Sequence, residues 1–577
     1  MKFDFVVFDT EDDSPEVLAA GRDGREKQVT QIAAINNRTG KRFYNNGNAE
    51  EFKTWLCSQG EEVVCYAHNV MYDLGNIFRG QLDAYRVRMV GGRMISATWR
   101  NVTFLDSFNI WPMGAKKIGE AFGLKKMTMD VHSKEYVFRD VEIIRRAMQF
   151  ANEFAEENGV DGLPSTLGGL CVRVWKAMGG QNFCCTDDFA RQAYYGGRVE
   201  LFNQGGEGNI LYTDINSLYP FCMTMPFPDD WYELDGLDGY GVADVTLRVP
   251  KSFITTLPVR REDGSIYFPH GELRPRATAE KQKAGELYGA WTLHEIRDAM
   301  QHGAKLVKIH RVMGSVSANY PYRNFVEKFY EMRRTEKNEA KKLMLKLVMN
   351  NLYGRLGNSG VVTESINLKD EDFTTGGHYI GEGTPYGKRK LIDLQKPLDE
   401  HTNFLHAAYV TGYARLELAK YLRQLGHGKL IYCDTDSVIF YSPDNQIPFP
   451  ITDRLGGMKL EGKAKVCRVH LPKVYQFGEN YKAKGVRKNL AKEYIEKGRV
   501  EYELPYRFRE SVSMFDPQHD ENGNVIREAD FKPLSVWRKV DKEKVGEYDR
   551  KDLSKDGNYW PKLFSEKEEK PLTKRTK

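Results

Sequence analysis

The chain lacks the apolar run that a membrane span needs: nowhere do about 18 apolar residues follow one another. It lacks paired cysteines. Eight are scattered from Cys57 to Cys467, none in a CxxC pair, which argues against a zinc site and makes free thiols in a reducing compartment the expectation. It lacks a strong charge of either sign: 85 Lys and Arg against 80 Asp and Glu leave +5, a balance that permits nucleic-acid binding without requiring it. There is no internal repeat and no long low-complexity tract. The N-terminus opens on a strand-like stretch, Phe3 to Phe8, followed by acids, unlike a signal or transit peptide, so a cytosolic protein is expected. What is present is 577 residues of soluble globular composition, 41% hydrophobic and 29% charged. That is too long for one core, and about 150 residues per domain suggests about four units.

The first 150 or so residues read as mixed α/β. Strands are expected at Phe3–Glu11, Gln28–Asn36, Val63–Ala67, Val87–Val90, Ile95–Trp99 and Val102–Leu105, and helices at Glu51–Ser58 and Lys134–Phe154. Glycines and Pro164 mark a linker-like stretch from Gly159 to Gly169. Asn209–Thr213 reads as a buried strand, Trp291–Gln301 as a helix, and Tyr322–Asn351 as a long helical region rich in Lys and Arg. Gly357 to His401 reads as loop or hairpin and Phe404–Gln424 as helix, and the tail from Lys562 is polar.

Two groups of acids stand out. In the first, Asp9 and Glu11 lie two apart on a strand, and a period of two puts them on one face. Asp12 and Asp13 follow, so a solvated acidic loop is the competing reading. Asp73 follows another strand, and Tyr136 and Asp140 sit at i and i+4 on one helix face. Four such acids can bind two divalent metals and clamp the oxygens of a phosphodiester, with the Tyr136 hydroxyl placed to orient water.

In the second, Ile431-Tyr432-Cys433-Asp434-Thr435-Asp436-Ser437 reads as a hairpin with two carboxylates at its tip. An ordinary Asp-rich turn is the alternative. Asp214 ends a strand ahead of Ser217-Leu218-Tyr219-Pro220 and is positioned to add a third carboxylate. Lys342, Lys346, Asn350 and Tyr353 fall at roughly 0°, 40°, 80° and 20° around a helix, one stripe about 16 Å long, with Arg334 on its flank. Such a stripe suits a nucleoside triphosphate, although a solvated basic face is common.

In order along the chain, these segments closely resemble family B DNA polymerases, specifically the protein-primed branch. Asp9 to Glu11, Asn69 to Asp73 and Tyr136 to Asp140 look like three 3′–5′ exonuclease motifs. Tyr194-Tyr195-Gly196-Gly197 resembles YxGG, Asp214 to Pro220 resembles motif A, Lys346 to Gly354 motif B, Thr411 to Arg415 the Tx2AR motif, Tyr432 to Ser437 motif C, and Lys473-Val474-Tyr475 the KxY motif. The resemblance implies an α/β and α+β multidomain fold: an RNase H-like exonuclease domain and a right-hand polymerase domain of palm, fingers and thumb with two insertions. It implies DNA-directed synthesis with proofreading, protein-primed initiation and strand displacement on a linear viral-type genome, with an ordinary nucleic-acid primer as the alternative. It implies two Mg²⁺ per site, with Mn²⁺ as the other candidate, on Asp9, Glu11, Asp73 and Asp140 and on Asp214 and Asp436, with Asp434 and Tyr136 in support. Nucleotide contacts fall to Ile215, Tyr219, Arg334, Lys342, Lys346, Asn350 and Tyr353. DNA contacts fall to Asn69, Tyr72, Ser107, Tyr194, Gly196, Gly197, Thr411, Arg415, Lys473 and Tyr475. The implied partners of a monomer in the host cytoplasm are primer-template DNA, dNTPs, a terminal (priming) protein and a single-stranded DNA-binding protein, with no membrane.

Three positions depart from the family pattern: Asn351 stands where motif B usually has Ser, Phe108 follows Ser107 where Leu is usual, and Asp12 follows Glu11 where Thr is common. The protein-primed expectation rests on chain length between motifs, about a hundred residues from Pro220 to Tyr322 and 56 between Gly354 and Thr411. The expected division is exonuclease 1–160, palm 161–224 and 405–505, a first insertion for the priming protein 225–321, fingers 322–357, a strand-displacement collar 358–404, and thumb with tail 506–577.

Overall fold

A computed structural model describes residues 4–12, 28–79, 81–127, 133–261, 264–273, 290–367, 378–381, 383–505, 507–512, 518–519, 525–527, 537–543 and 548–563. Asp13 and the tail from 564 lie outside them. Among the described residues no helix is long and apolar enough to cross a membrane.

The N-terminal part is built on a mixed sheet. Its strand Val6–Asp12 lies parallel to Val63–Ala67 and antiparallel to Val29–Asn36, and Val63–Ala67 lies parallel to Val102–Asp106. The apolar run of Val6, Val7 and Phe8 is buried on both faces, as a strand flanked on both sides requires. Alternation sends Phe5, Val7, Ala33 and Ile35 into one core and Val6, Phe8, Ile32 and Ala34 into another. Helix Lys134–Glu157, capped by Ser133, covers the first face. Helices Ala49–Cys57 and Val70–Phe78 cover the second. The first core runs on without a break into the helices of the C-terminal half.

The sheet does not stop at its own domain. Val361–Asn367 pairs antiparallel with Arg86–Val90 (Thr363 opposite Met89, Glu364 opposite Arg88) and carries Arg389–Gln395 beyond it, giving eleven strands in all. The segment read as loop or hairpin is thus a hairpin that extends the first sheet. Tyr386 and Tyr85 both pack on Phe508 from the C-terminal region, with centroids 6.0 and 6.3 Å away.

A second, wholly antiparallel sheet of seven strands has Gly205–Ile215 at its centre, between Met458–Leu471 and Ser437–Tyr441. Leu430–Asp434 and Val199–Leu201 follow on the latter side. Helix Phe404–Leu425, buried along most of its length, packs beside it. A third sheet, in residues 232–315, centres on Tyr240–Val249 and Lys305–Ser315, and its helix Leu293–Gln301 starts with a complete Thr292/Glu295 capping box.

Two expectations change. The long helix is two helices, Arg323–Thr335 and Glu339–Leu356. Glu336 is extended, and Asn338 caps the second helix by accepting from the Lys341 amide. The linker-like stretch is a tight connection, because Val160 and Leu167 are drawn into the core and Thr166 caps Leu167–Ala177.

Where the Phe404–Leu425 helix meets the start of Arg323–Thr335, His406 is fully buried. Its Nε2–H donates to the Pro228 carbonyl (2.8 Å) and its Nδ1 accepts from the Tyr322 hydroxyl (2.7 Å). Burial lowers its pKa from 6.5 to about 4. The unfolded chain therefore takes up a proton below pH 6.5 that the folded chain refuses until about 4. The stability from neutral His406 is complete above 6.5 and is lost as pH falls, by up to about 3 kcal/mol. Denaturation of His406→Gln is expected to depend less steeply on pH between 6.5 and 4.5 than that of the unaltered protein; equal slopes would refute the assignment.

Candidate active sites

The first centre forms at the end of Val6–Asp12. Oxygens of Asp9 and Glu11 and one from Asp140, on the helix over the same face, all lie within 4.8 Å of one another. Burial raises Asp9 well above the ordinary carboxylate range, with Asp73, Glu11 and Asp140 adding to it. Burial also pushes Glu11 up to about 8, against the pull of Lys126. Lys126 pairs with Asp140 and lies 5.1 Å from the Tyr136 ring centroid. All-oxygen donors this close match a hard divalent cation, and Lys126 brings compensating positive charge to them.

Asp73 stands beside this trio, outside the tight group. Its helix covers the opposite face of the strand, where Thr10 points, and it accepts from the Thr10 amide (3.1 Å) and hydroxyl (2.7 Å). Asn69 is exposed and left-handed, φ 69°, and its amide donates to Asp106 at 2.8 Å. The Tyr72 hydroxyl donates to Asp12. Ser107, expected to touch DNA, is wholly buried: its hydroxyl donates to the Ala67 carbonyl and meets His68 Nδ1 at 2.9 Å. It braces the loop instead. Phe108 packs on His68, centroids 5.5 Å apart. Asp106 and Lys126 were not singled out by sequence; Asp106 ends a strand as Asp214 does, and Lys126 follows a helix with only its charge as a signal.

The second centre is set by strand register. Thr435, φ 64°, and Asp436 form the two-residue turn between Leu430–Asp434 and Ser437–Tyr441. Ser437 lies opposite Asp214, and the Ile215 amide donates to the Asp436 carbonyl at 2.7 Å, which brings Asp214 and Asp436 side by side. Burial, then Asp214, raises Asp436 to about 7. Burial raises Asp214 too, against Lys459, whose Nζ is 3.6 Å away. Asp434 is engaged elsewhere: Lys473 Nζ sits 3.1 Å from one oxygen, and the Tyr432 hydroxyl donates to the other at 3.3 Å. Gly197 packs against the turn, where a Cβ would lie 2.8 Å from the Thr435 side chain.

The remaining predicted contacts divide. The Tyr219 and Tyr353 rings touch with centroids 4.5 Å apart, tilted at 48°, beside this centre, and Tyr194 packs close by. Burial, then Arg333, holds Lys346 below its ordinary pKa. Lys342 pairs with Glu339 at 3.4 Å, and Asn350 is half-buried. Arg334 leaves the stripe, because the break at Glu336 resets the helix phase, and it pairs with Glu331 in solvent. Arg333, its neighbour, is the cation that Lys346 feels most. Ile215 is buried with its amide engaged. Thr411 is buried and bonds to the Ala407 and Ala408 carbonyls. Arg415 is buried against Glu295 (2.8 Å) and donates to the Tyr195 and Gly196 carbonyls. Arg415 thereby ties the helix Leu293–Gln301 to the Tyr195–Gly196 backbone. Tyr475 is buried, 5.6 Å from the Tyr432 ring. The Asn351 side chain donates to the Leu347 carbonyl one turn back, at 2.8 Å, a bond that a serine hydroxyl can also make.

Two acid centres on two sheets, one beside a close tyrosine pair and a lysine-bearing helix, are an arrangement suited to nucleotidyl transfer. Residues 125–413 match the family model described as DNA polymerase type B, organellar and viral. The chain belongs to this family and is a DNA-directed DNA polymerase. It is 26% identical over 468 residues to the DNA-directed DNA polymerase of Enterobacteria phage PRD1, covering 75% of this chain and 77% of that one. It is 23% identical over 388 residues to the DNA polymerase of Bacillus phage phi29, covering 62% and 63%. The structure of phi29 DNA polymerase complexed with primer-template DNA and incoming nucleotides superimposes with TM-score 0.62 at 17% identity, over 94% of this chain and 99% of that one.

The raised carboxyl pKa values carry a test. Glu11 retains its proton up to about pH 8, so in the metal-free protein its stabilising contribution is present below the ordinary value and is lost as pH rises toward 8. A divalent cation needs the deprotonated form. Adding Mg²⁺ or Mn²⁺ at pH 7 in weak buffer is expected to release protons, detected by an indicator dye, and Glu11→Gln to release fewer. Cation binding without proton release would contradict the assignment.

Proposed function

We propose a replicative polymerase with a separate proofreading 3′–5′ exonuclease, initiating from a protein hydroxyl and displacing the non-template strand. The observation that carries the synthesis centre is the register that sets Asp214 beside Asp436, with Tyr219, Tyr353 and Lys346 around them. Asp214 and Asp436 would hold divalent cations, which when bound supply Lewis-acid activation of the primer 3′-oxygen and neutralise the leaving pyrophosphate. Lys346 and Arg333 receive the triphosphate. The Tyr219–Tyr353 pair offers the sugar and base an apolar wall and excludes a 2′-hydroxyl by its bulk. Asp434, held by Lys473 and Tyr432, keeps the turn in place. Lys473 and Tyr194 are the proposed contacts to the primer strand and template. Primer-template DNA and dNTPs are the substrates, as in the phi29 complex.

At the other centre Asp9, Glu11 and Asp140 would hold the cation, with Asp73 pinned behind them and Tyr136 beside the water that attacks the terminal phosphodiester. Two ions per centre and Mg²⁺ as the working ion are part of the proposal, with Mn²⁺ as the alternative to be compared. Asn69 and Tyr72 are the proposed contacts to a single strand. Priming by a protein is supported by two substantial insertions at the positions expected for that branch, one carrying its own sheet and the other a hairpin. The division into exonuclease, palm, fingers, thumb and insertions drawn from the sequence is retained, with the collar hydrogen-bonded to the exonuclease sheet.

Asp436→Ala is expected to abolish synthesis and spare degradation of single-stranded DNA; synthesis that survives would remove Asp436 from the centre. Asp9→Ala with Glu11→Ala is expected to abolish proofreading alone, and loss of synthesis too would argue against two separate sites. Incubation with the product of a neighbouring gene and one labelled dNTP should label that protein covalently. Extension of nucleic-acid primers alone would favour the ordinary-primer alternative.

A further inference from the structure

Directly behind the Asp434–Asp436 turn lie three charged side chains that the chemistry above leaves unused. Arg198, Glu200 and Lys551 are almost wholly buried. Arg198 Nε donates to Glu200 Oε2 at 2.6 Å, and Lys551 Nζ stands 3.4 Å from Glu200 Oε1. Arg198 also donates to the Thr255 carbonyl at 2.8 Å and lies over the Phe268 ring at 4.2 Å. Lys551 lies 3.7 Å from the Phe202 ring centroid. Three distant stretches of chain meet here: the strand Val199–Leu201, the first insertion, and the C-terminal strand Lys551–Leu553. Two cations facing one anion also place positive charge behind a turn that carries two acids.

The backbone connects this cluster to the turn. Val199 lies opposite Asp434 and Glu200 opposite Cys433. The Arg198 carbonyl receives the Thr435 amide at 2.7 Å. That bond anchors the one residue of the turn with a left-handed backbone, a conformation β-branched residues resist. The C-terminal segment is itself fastened to the same strand region, since the Tyr559 amide donates to the Phe202 carbonyl at 2.9 Å and the Asn203 side chain donates to Asn558 Oδ1 at 3.0 Å.

We propose that Lys551, acting through Glu200 and Arg198, is a positioning residue of the DNA-synthesis centre, so that the C-terminal strand completes the seat of the catalytic turn. Without Lys551, Glu200 is held from one side only, Arg198 shifts, and the acceptor for the Thr435 amide moves with it. Asp436 is then displaced relative to Asp214. The exonuclease trio sits on the other sheet and shares none of these bonds.

The inference rests on the turn being the synthesis centre, so Asp436→Asn is measured alongside. Full-length Lys551→Met is assayed for dNTP incorporation on primed template and, in the same preparation, for degradation of single-stranded DNA. Incorporation kcat is expected to fall about tenfold or more while KM for dNTP stays within about twofold, because misplacement of reacting groups acts on the chemical step. Single-strand degradation and melting temperature should stay near those of the unaltered protein. If Lys551→Met does not fold, Lys551→Gln is held to the same thresholds. Unchanged incorporation by a folded variant overturns the inference, as does a joint fall of synthesis, degradation and melting temperature. Synthesis retained by Asp436→Asn would instead fault the placement of the centre.

Discussion

Carboxylates held closer than like charges tolerate are the constraint around which this molecule is organised. At both centres the backbone forces the approach: strand alternation aligns Asp9 with Glu11, and antiparallel register sets Asp214 beside Asp436. Burial then strips away the water that would screen them, and their pKa values rise. The surroundings are a set of answers to that repulsion. Lys126 answers it at the first centre, and Lys459 and Lys473 at the second. A bound cation answers it more completely, which is why such an arrangement also serves phosphoryl transfer.

The two centres differ in how firmly they are built. The first is held by side chains, with Thr10 clasping Asp73 and Asp106 holding the Asn69 amide. The second is held by main chain: the Thr435, Asp436 and Ile215 amides each find a carbonyl at 2.7 Å. Main-chain bonds leave a turn little freedom to relax when its acids are altered. Substitution of those acids should therefore change chemistry more than shape.

Much of this was legible in the sequence where a local pattern carried it. Period two placed Asp9 and Glu11, and the apolar runs around Asp434 and Asp436 announced the hairpin. Position in the chain did not reveal exposure. Ser107, Thr411 and Arg415 belong to motif segments, yet tertiary packing buries all three and turns them into braces. Helical spacing carried Arg334 too far, because a three-residue break from Glu336 to Asn338 costs little and resets the phase. The Arg198–Glu200–Lys551 set was invisible for a different reason: its members are separated by some 350 residues, and only the folded chain brings them together.

The pairing of Val361–Asn367 onto Arg86–Val90 ends what would otherwise be an open edge of the N-terminal sheet. An unpaired edge strand is a template for chain-to-chain association, and this one carries buried Val87 and Met89. The hairpin therefore protects solubility. A chain shortened by that hairpin would expose backbone donors and acceptors in a row, and its first failure would be self-association in the test tube before any defect at the replication fork.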